Sequence, residues 1–225
     1  MIFKNKLQKE LTNSGFIINK DNIFNIDESS LLEFDKIAKN KSLKNHDEGE
    51  SVKIIENTAD SKLVYALKFK IDIFLKKNFK NIYNKISFEN VWAQTSNIQT
   101  YQKNELPFIP HLDYLRKFKI MIYLSNVNRK DGPIHLHKCH INKFEKLRLS
   151  LKKDYKEKKL NAISAFKIEN YESCTGGVGT TIFFDTNCPH FAGEIQENFT
   201  PRKILRFNYL YKVSFFNSII KKVFN

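Results

Sequence analysis

At 225 residues, with 41% hydrophobic side chains and 20 phenylalanines, the chain can bury a sizeable core, which excludes a disordered chain. Its 7 glycines and 5 prolines leave few places for a linker, and no internal repeat or low-complexity tract interrupts it, so a single domain over 1–225 is expected. Lysine and arginine outnumber acids by 38 to 24, a formal charge of +14 that favours anionic molecules. The lysines are scattered rather than gathered with aromatics into an arginine-rich patch, so no specific nucleic-acid partner is expected.

The first segment, Leu11 to Ile18, predicts a short helix ended by Gly15 and followed by a strand. Ser30 and Glu33 form a capping box before a second helix. From Ser61 onward Val64, Leu67, Ile71, Phe74 and Leu75 recur at three to four residues among lysines, the pattern of an amphipathic helix packed on a sheet. After Ser87 the period changes. Val91 to Thr100, Phe118 to Leu124, Thr180 to Phe184 and Lys203 to Lys212 are rich in β-branched and aromatic residues, with turn formers such as Lys130-Asp131-Gly132-Pro133 between some of them. A helical part over about 1–86 and a β core over about 87–213 predict an α+β protein whose sheet closes into a sandwich or barrel with a cavity at one mouth.

A lysine-rich excursion over 141–172 interrupts the strands, with Phe144, Leu147, Leu151 and Tyr155 at helical spacing; it predicts a surface helix bridging two strands, or a lid over the cavity. The tail carrying Phe215, Phe216, Ile219, Ile220 and Phe224 is amphipathic and is expected to pack on the domain. Cys139, Cys174 and Cys188 are odd in number, and Lys4 and Lys6 interrupt the start with no apolar run behind them, so free thiols in the cytoplasm are expected. The longest apolar stretches, around Phe118 to Leu124 and Ile182 to Phe184, are too short to span a bilayer.

His111-Leu112-Asp113 and His190 carry most of the functional information. Two imidazoles and one carboxylate on one face of a metal leave several positions open, which is what a non-haem Fe(II) oxygenase needs to admit a keto acid and dioxygen. Arg202, twelve positions beyond His190, offers a guanidinium that can grip a carboxylate through two parallel hydrogen bonds. Arg206 follows four residues later on the same side of a regular strand, where it meets an acidic substrate group or forms an ion pair with Asp185 or Glu194. His135 and His137 share one strand face, so a zinc site is conceivable, with Cys139 as a further thiol; the reading preferred is two polar groups near the cavity, with His140 in a turn. Trp92, Phe108 and Tyr114 are candidates for lining the cavity or for packing.

In order and spacing these motifs resemble the phytanoyl-CoA dioxygenase family of Fe(II)- and 2-oxoglutarate-dependent oxygenases. The likeness starts at Leu11 to Ile18 and runs through His111-Leu112-Asp113, Tyr123-Leu124-Ser125-Asn126-Val127 and Gly132-Pro133-Ile134. It continues through Lys138-Cys139-His140, where the family usually has Gly-Ser-His, then Gly176-Gly177-Val178-Gly179, His190, Arg202 and Tyr209. Leu112 stands where the family often has glutamine, and the segment from Asn142 to Leu160 has no counterpart. The resemblance implies a double-stranded β-helix, jelly-roll or cupin-like, with N-terminal packing helices. It implies that His111, Asp113 and His190 bind Fe(II), that Arg202 pairs with the distal carboxylate of 2-oxoglutarate, and that Tyr123 lies on the strand contributing to the cosubstrate pocket. The activity implied consumes dioxygen, releases succinate and carbon dioxide, and oxidises an unactivated carbon of a small, acyl or glycan-type, anionic substrate. Asp113 favours hydroxylation over halogenation, because related halogenases lose this carboxylate to admit a halide. Two rival functions are a cupin-like domain that binds metal or ligand without turnover, and a nucleic-acid oxidative demethylase, which the spacing from His190 to Arg202 disfavours.

Overall fold

The computed structural model describes residues 4–39, 44–46, 50–96, 108–150, 162–164 and 169–212. The N-terminal part places α1 (Lys4–Ser14), β1 (Phe16–Asn19), α2 (Glu28–Lys39), β2 (Lys44–His46), β3 (Glu50–Ile55), α3 (Lys62–Asn78) and α4 (Lys80–Tyr83). Gly15 ends α1 at φ +79°, a left-handed conformation that a side chain resists, and a Cβ there would lie 2.3 Å from the Cys188 sulfur. Helix α2 starts two residues before Ser30: Asp27 caps it, accepting from the Ser30 amide at 2.8 Å and from the Ser29 and Ser30 hydroxyls, in place of the expected Ser30–Glu33 box. Ser61 caps α3 by accepting from the Val64 amide.

The rest supplies β4 (Ile86–Ser96), β5 (His111–Asp113), β6 (Lys117–Tyr123), β7 (Ile134–His137), α5 (Glu145–Ser150), β8 (Ala162–Ser164), β9 (Tyr171–Ser173), β10 (Thr181–Asp185), β11 (His190–Ala192) and β12 (Lys203–Tyr211). Two antiparallel sheets result, a seven-stranded one in the order β1-β10-β6-β12-β4-β3-β2 and a five-stranded one in the order β8-β5-β11-β7-β9. The N-terminal part is therefore less purely helical than its composition predicts: β1 pairs with β10 at one edge of the large sheet, and β3 pairs with β4 near the other. The strand expected after Gly15 is present as β1, whereas β2 and β3 have no counterpart in the expected helical part.

Alternation along the large sheet separates two cores. Phe118, Ile120 and Ile122 of β6 and Leu205, Phe207 and Tyr209 of β12 join the helix-side cluster with Val64, Leu67, Ile71 and Leu75 of α3. Phe183 is stacked on Phe74 at 5.3 Å and packs against Phe79 at 5.5 Å, tying α3 to β10. The opposite, inner face carries Met121, Tyr123, Ile182, Phe184 and Ile204, which pack against Ile134 and Leu136 of β7 in the small sheet.

Of the excursion, α5 is described, and Arg148 ties it to the barrel by donating to Asn187 Oδ1 and the Tyr114 carbonyl. Arg116 clamps fully buried Asp185 through Nη2 at 2.7 Å, while the Tyr211 hydroxyl donates to the same carboxylate at 2.7 Å. Leu151, Tyr155 and the tail from Phe215 to Phe224 lie outside the described residues. Among the described residues no helix is long and apolar enough to cross a membrane.

A candidate metal centre between the two sheets

Strand alternation turns His111 and Asp113 of β5 to the same side, and β11 pairs His190 directly opposite His111. The two imidazole rings lie 4.4 Å apart, and both are buried. Nδ1 of His111 donates to the Ile109 carbonyl at 2.8 Å, and Nδ1 of His190 donates to the Cys188 carbonyl at 3.0 Å. Those bonds fix the tautomers and leave the Nε2 lone pairs facing inward. Asp113 Oδ1 sits 3.4 Å from Nε2 of His190 and 3.9 Å from Nε2 of His111. Buried Nε2 of His190 has no hydrogen-bond partner, and it faces a carboxylate oxygen that also has only electrons to offer. Two facing donors of this kind are reconciled by a cation between them. The candidate donor atoms of His111, Asp113 and His190 all lie within 4.8 Å of one another, so the set fits a metal ion.

Electrostatics favour, at His111 and Asp113, the protonation states that a metal requires. Burial, together with neighbouring His190, pulls His111 down to about 3, so its imidazole is neutral. Burial would push Asp113 up, but the Lys119 ammonium holds it well below the usual carboxylate range.

Opposite the small sheet, Gln94, Lys119, Arg202 and Arg206 enter the same cavity as His111 and His190. Arg202 is buried; its backbone amide donates to Ser96 Oγ at 2.7 Å, and its guanidinium donates to the Gly132 carbonyl. Arg206 lies with its guanidinium carbon 4.1 Å from the Trp92 ring centroid, a cation–π seat that aims it along the sheet. Asp185, one partner expected for Arg206, belongs instead to Arg116.

Tyr123 stands on the inner face but is fully buried, and its hydroxyl donates to the Cys174 carbonyl at 2.6 Å. Its hydroxyl hydrogen is thus committed to that carbonyl, and Tyr123 is not among the residues lining the cavity. His135 and His137 do share a face, as alternation requires, but it is the outer one. His135 stacks on Phe191 at 4.6 Å and His137 packs on Tyr171 at 5.3 Å, away from the cavity. Among the described residues no metal-binding group includes them. His140 is in a turn, accepting from the Lys143 amide.

Sequence reasoning missed Lys119 and Gln94. Lys119 lies within an apolar run that reads as uninterrupted core, yet a lysine at an inward position of such a strand is itself a signal, because a buried ammonium needs a partner.

No protein-family model matches the sequence. No curated protein matches it either. Solved structures do share its architecture. EvdO2 from Micromonospora carbonacea var. aurantiaca, complexed with 2-oxoglutarate, superposes with a TM-score of 0.62 at 11% identity, over 92% of this chain and 91% of that one. The non-haem alpha-ketoglutarate-dependent epimerase SnoN from nogalamycin biosynthesis gives 0.60 at 11% identity over 92% and 82%. A prolyl hydroxylase from Trichoplax adhaerens, in complex with a hypoxia-inducible-factor peptide, gives 0.59 at 15% identity over 92% and 89%. The fold of this chain is the double-stranded β-helix that these structures share.

Proposed function

We propose that the chain is an Fe(II)- and 2-oxoglutarate-dependent dioxygenase acting on a small, anionic molecule. The observation that carries this reading is the pair of buried imidazoles whose Nδ1 atoms are spent on carbonyls and whose Nε2 atoms converge on Asp113. His111, Asp113 and His190 hold Fe(II), and Arg202, anchored by Gly132, receives the far carboxylate of 2-oxoglutarate. Arg206 on its Trp92 seat meets an acidic group of the substrate. When bound, the iron with 2-oxoglutarate and dioxygen supplies the oxidising power for hydroxylation of an unactivated carbon, releasing succinate and carbon dioxide. The chain's own contribution is orientation and exclusion of water: Phe184 packs edge-on to His190 at 5.6 Å, and both imidazoles are buried.

The test is an anaerobic optical titration with Fe(II) and then 2-oxoglutarate, comparing wild type with His111→Ala and His190→Ala. A visible charge-transfer band in wild type alone is expected. Iron binding without that band would replace the oxygenase reading by a cupin-like binding domain, and no iron binding would remove the donor assignment. In a succinate-release screen, carboxylate or phosphate substrates should be preferred, and Arg206→Ala should lose that preference at equal cosubstrate occupancy.

A further inference from the structure

The Asp113 carboxylate is divided between two tasks. Oδ1 faces both imidazoles, whereas Oδ2 is taken by Lys119 Nζ at 2.6 Å. Lys119 comes from β6 of the large sheet, so this contact crosses the seam to the strand that carries His111 and Asp113. The ammonium is buried and lies 5.9 Å from the Phe184 ring centroid. An ammonium buried there needs its carboxylate partner, and its grip draws the oxygen it holds away from the side of the imidazoles.

The count of coordination positions makes that division matter. Two imidazoles and one carboxylate oxygen fill three of about six positions on a non-haem iron, leaving room for a 2-oxo acid held at two points and for dioxygen. If both oxygens of Asp113 bound, a fourth position would be filled, and the third vacancy would be lost. We propose that Lys119 is a positioning residue that restricts Asp113 to one metal-facing oxygen and so keeps the position for dioxygen clear. This inference rests on the metal reading above. Without the ammonium, Oδ2 would be free to turn toward a metal held by the imidazoles. Arginine at the same place still donates to Oδ2, whereas methionine fills the space without a donor.

The experiment loads wild type, Lys119→Met and Lys119→Arg anaerobically with Fe(II) and 2-oxoglutarate. Each is then titrated with nitric oxide, a surrogate for dioxygen, and followed by visible absorption and electron paramagnetic resonance. Wild type and Lys119→Arg should take up nitric oxide, and Lys119→Met should bind it about tenfold more weakly or worse while keeping its charge-transfer band. Uptake by Lys119→Met equal to wild type overturns the proposal. A lysine that merely bridges the sheets would lower the thermal midpoint of the apoprotein and leave nitric oxide uptake by the folded protein unchanged. Where Lys119→Met does not fold, Lys119→Gln, whose amide is a weaker donor, decides by the same comparison. Absence of the charge-transfer band in wild type removes the metal reading, and this inference with it, before nitric oxide is added.

Discussion

Replacing Arg202 by alanine should weaken 2-oxoglutarate binding by about tenfold to a hundredfold, the loss of a charge-assisted pair, while Fe(II) affinity stays near wild type. Tyr123→Phe should leave that affinity almost unchanged, because the hydroxyl is committed to the Cys174 carbonyl. Its cost should be about 1 kcal/mol of stability, read as a lower denaturant midpoint. Equilibrium titration of 2-oxoglutarate against the two variants checks both statements, and a large loss in Tyr123→Phe would restore the hydroxyl to the cosubstrate pocket. The difference between these residues shows what can be read at this scale. The convergence of His111, Asp113 and His190, with Arg202 in the same cavity as the two histidines, was legible in the order and spacing of these residues. Tyr123 was placed on the right strand and face, but where a hydroxyl points depends on which carbonyl lies beyond it. Lys119 was overlooked although it carries a signal, since six apolar neighbours in Phe118 to Leu124 drew attention from one charge among them.

Among the elements, α2 shows how a helix start can be read a few residues late. Asp27, Ser29 and Ser30 are all good capping residues, and the carboxylate wins because it accepts from one amide and two hydroxyls at once. Those bonds lower Asp27 from 3.8 to about 2, the Ser30 hydroxyl contributing most. A carboxylate depressed on folding contributes stability above its unfolded value, and that contribution is lost as pH falls through the folded one. Asp27→Ala should therefore melt below wild type at neutral pH, and the gap should narrow as pH falls from about 4 to 2. A gap constant over that window would remove the cap from α2. The long amphipathic helix α3 and the strands β4, β6, β10 and β12 were plain in the hydrophobic period. Strands β2 and β3 were not, because they belong to the sheet through pairing rather than through composition. The same distinction governs His135 and His137: periodicity placed them together, but only the packing of one sheet on the other decides which face looks inward.

For the molecule as a whole, the join between α1 and the metal centre is the most exposed to test. Gly15 must remain left-handed, and the space beside it is filled by the Cys188 side chain, whose backbone carbonyl orients His190. Gly15→Ala should cost about 1–2 kcal/mol from the backbone alone. Because the added methyl displaces Cys188, it should also weaken Fe(II) binding, although Gly15 belongs to no ligand strand. Calorimetry and a metal titration on the same preparation measure the two effects. Loss of stability with unchanged metal affinity would uncouple the N-terminal helix from the site.

The donors His111, Asp113 and His190 all stand on the small sheet, whereas Lys119, Arg202 and Arg206 approach from the large one. The centre is thus assembled from two halves with separate foundations. On the proposed reading, a substitution on the helix-side face of the large sheet that moves its strands slightly would retune the grip on cosubstrate and substrate while leaving the ion's own donors where they were. Under that proposal, divergence in the substrate would need no change in the residues that hold the metal.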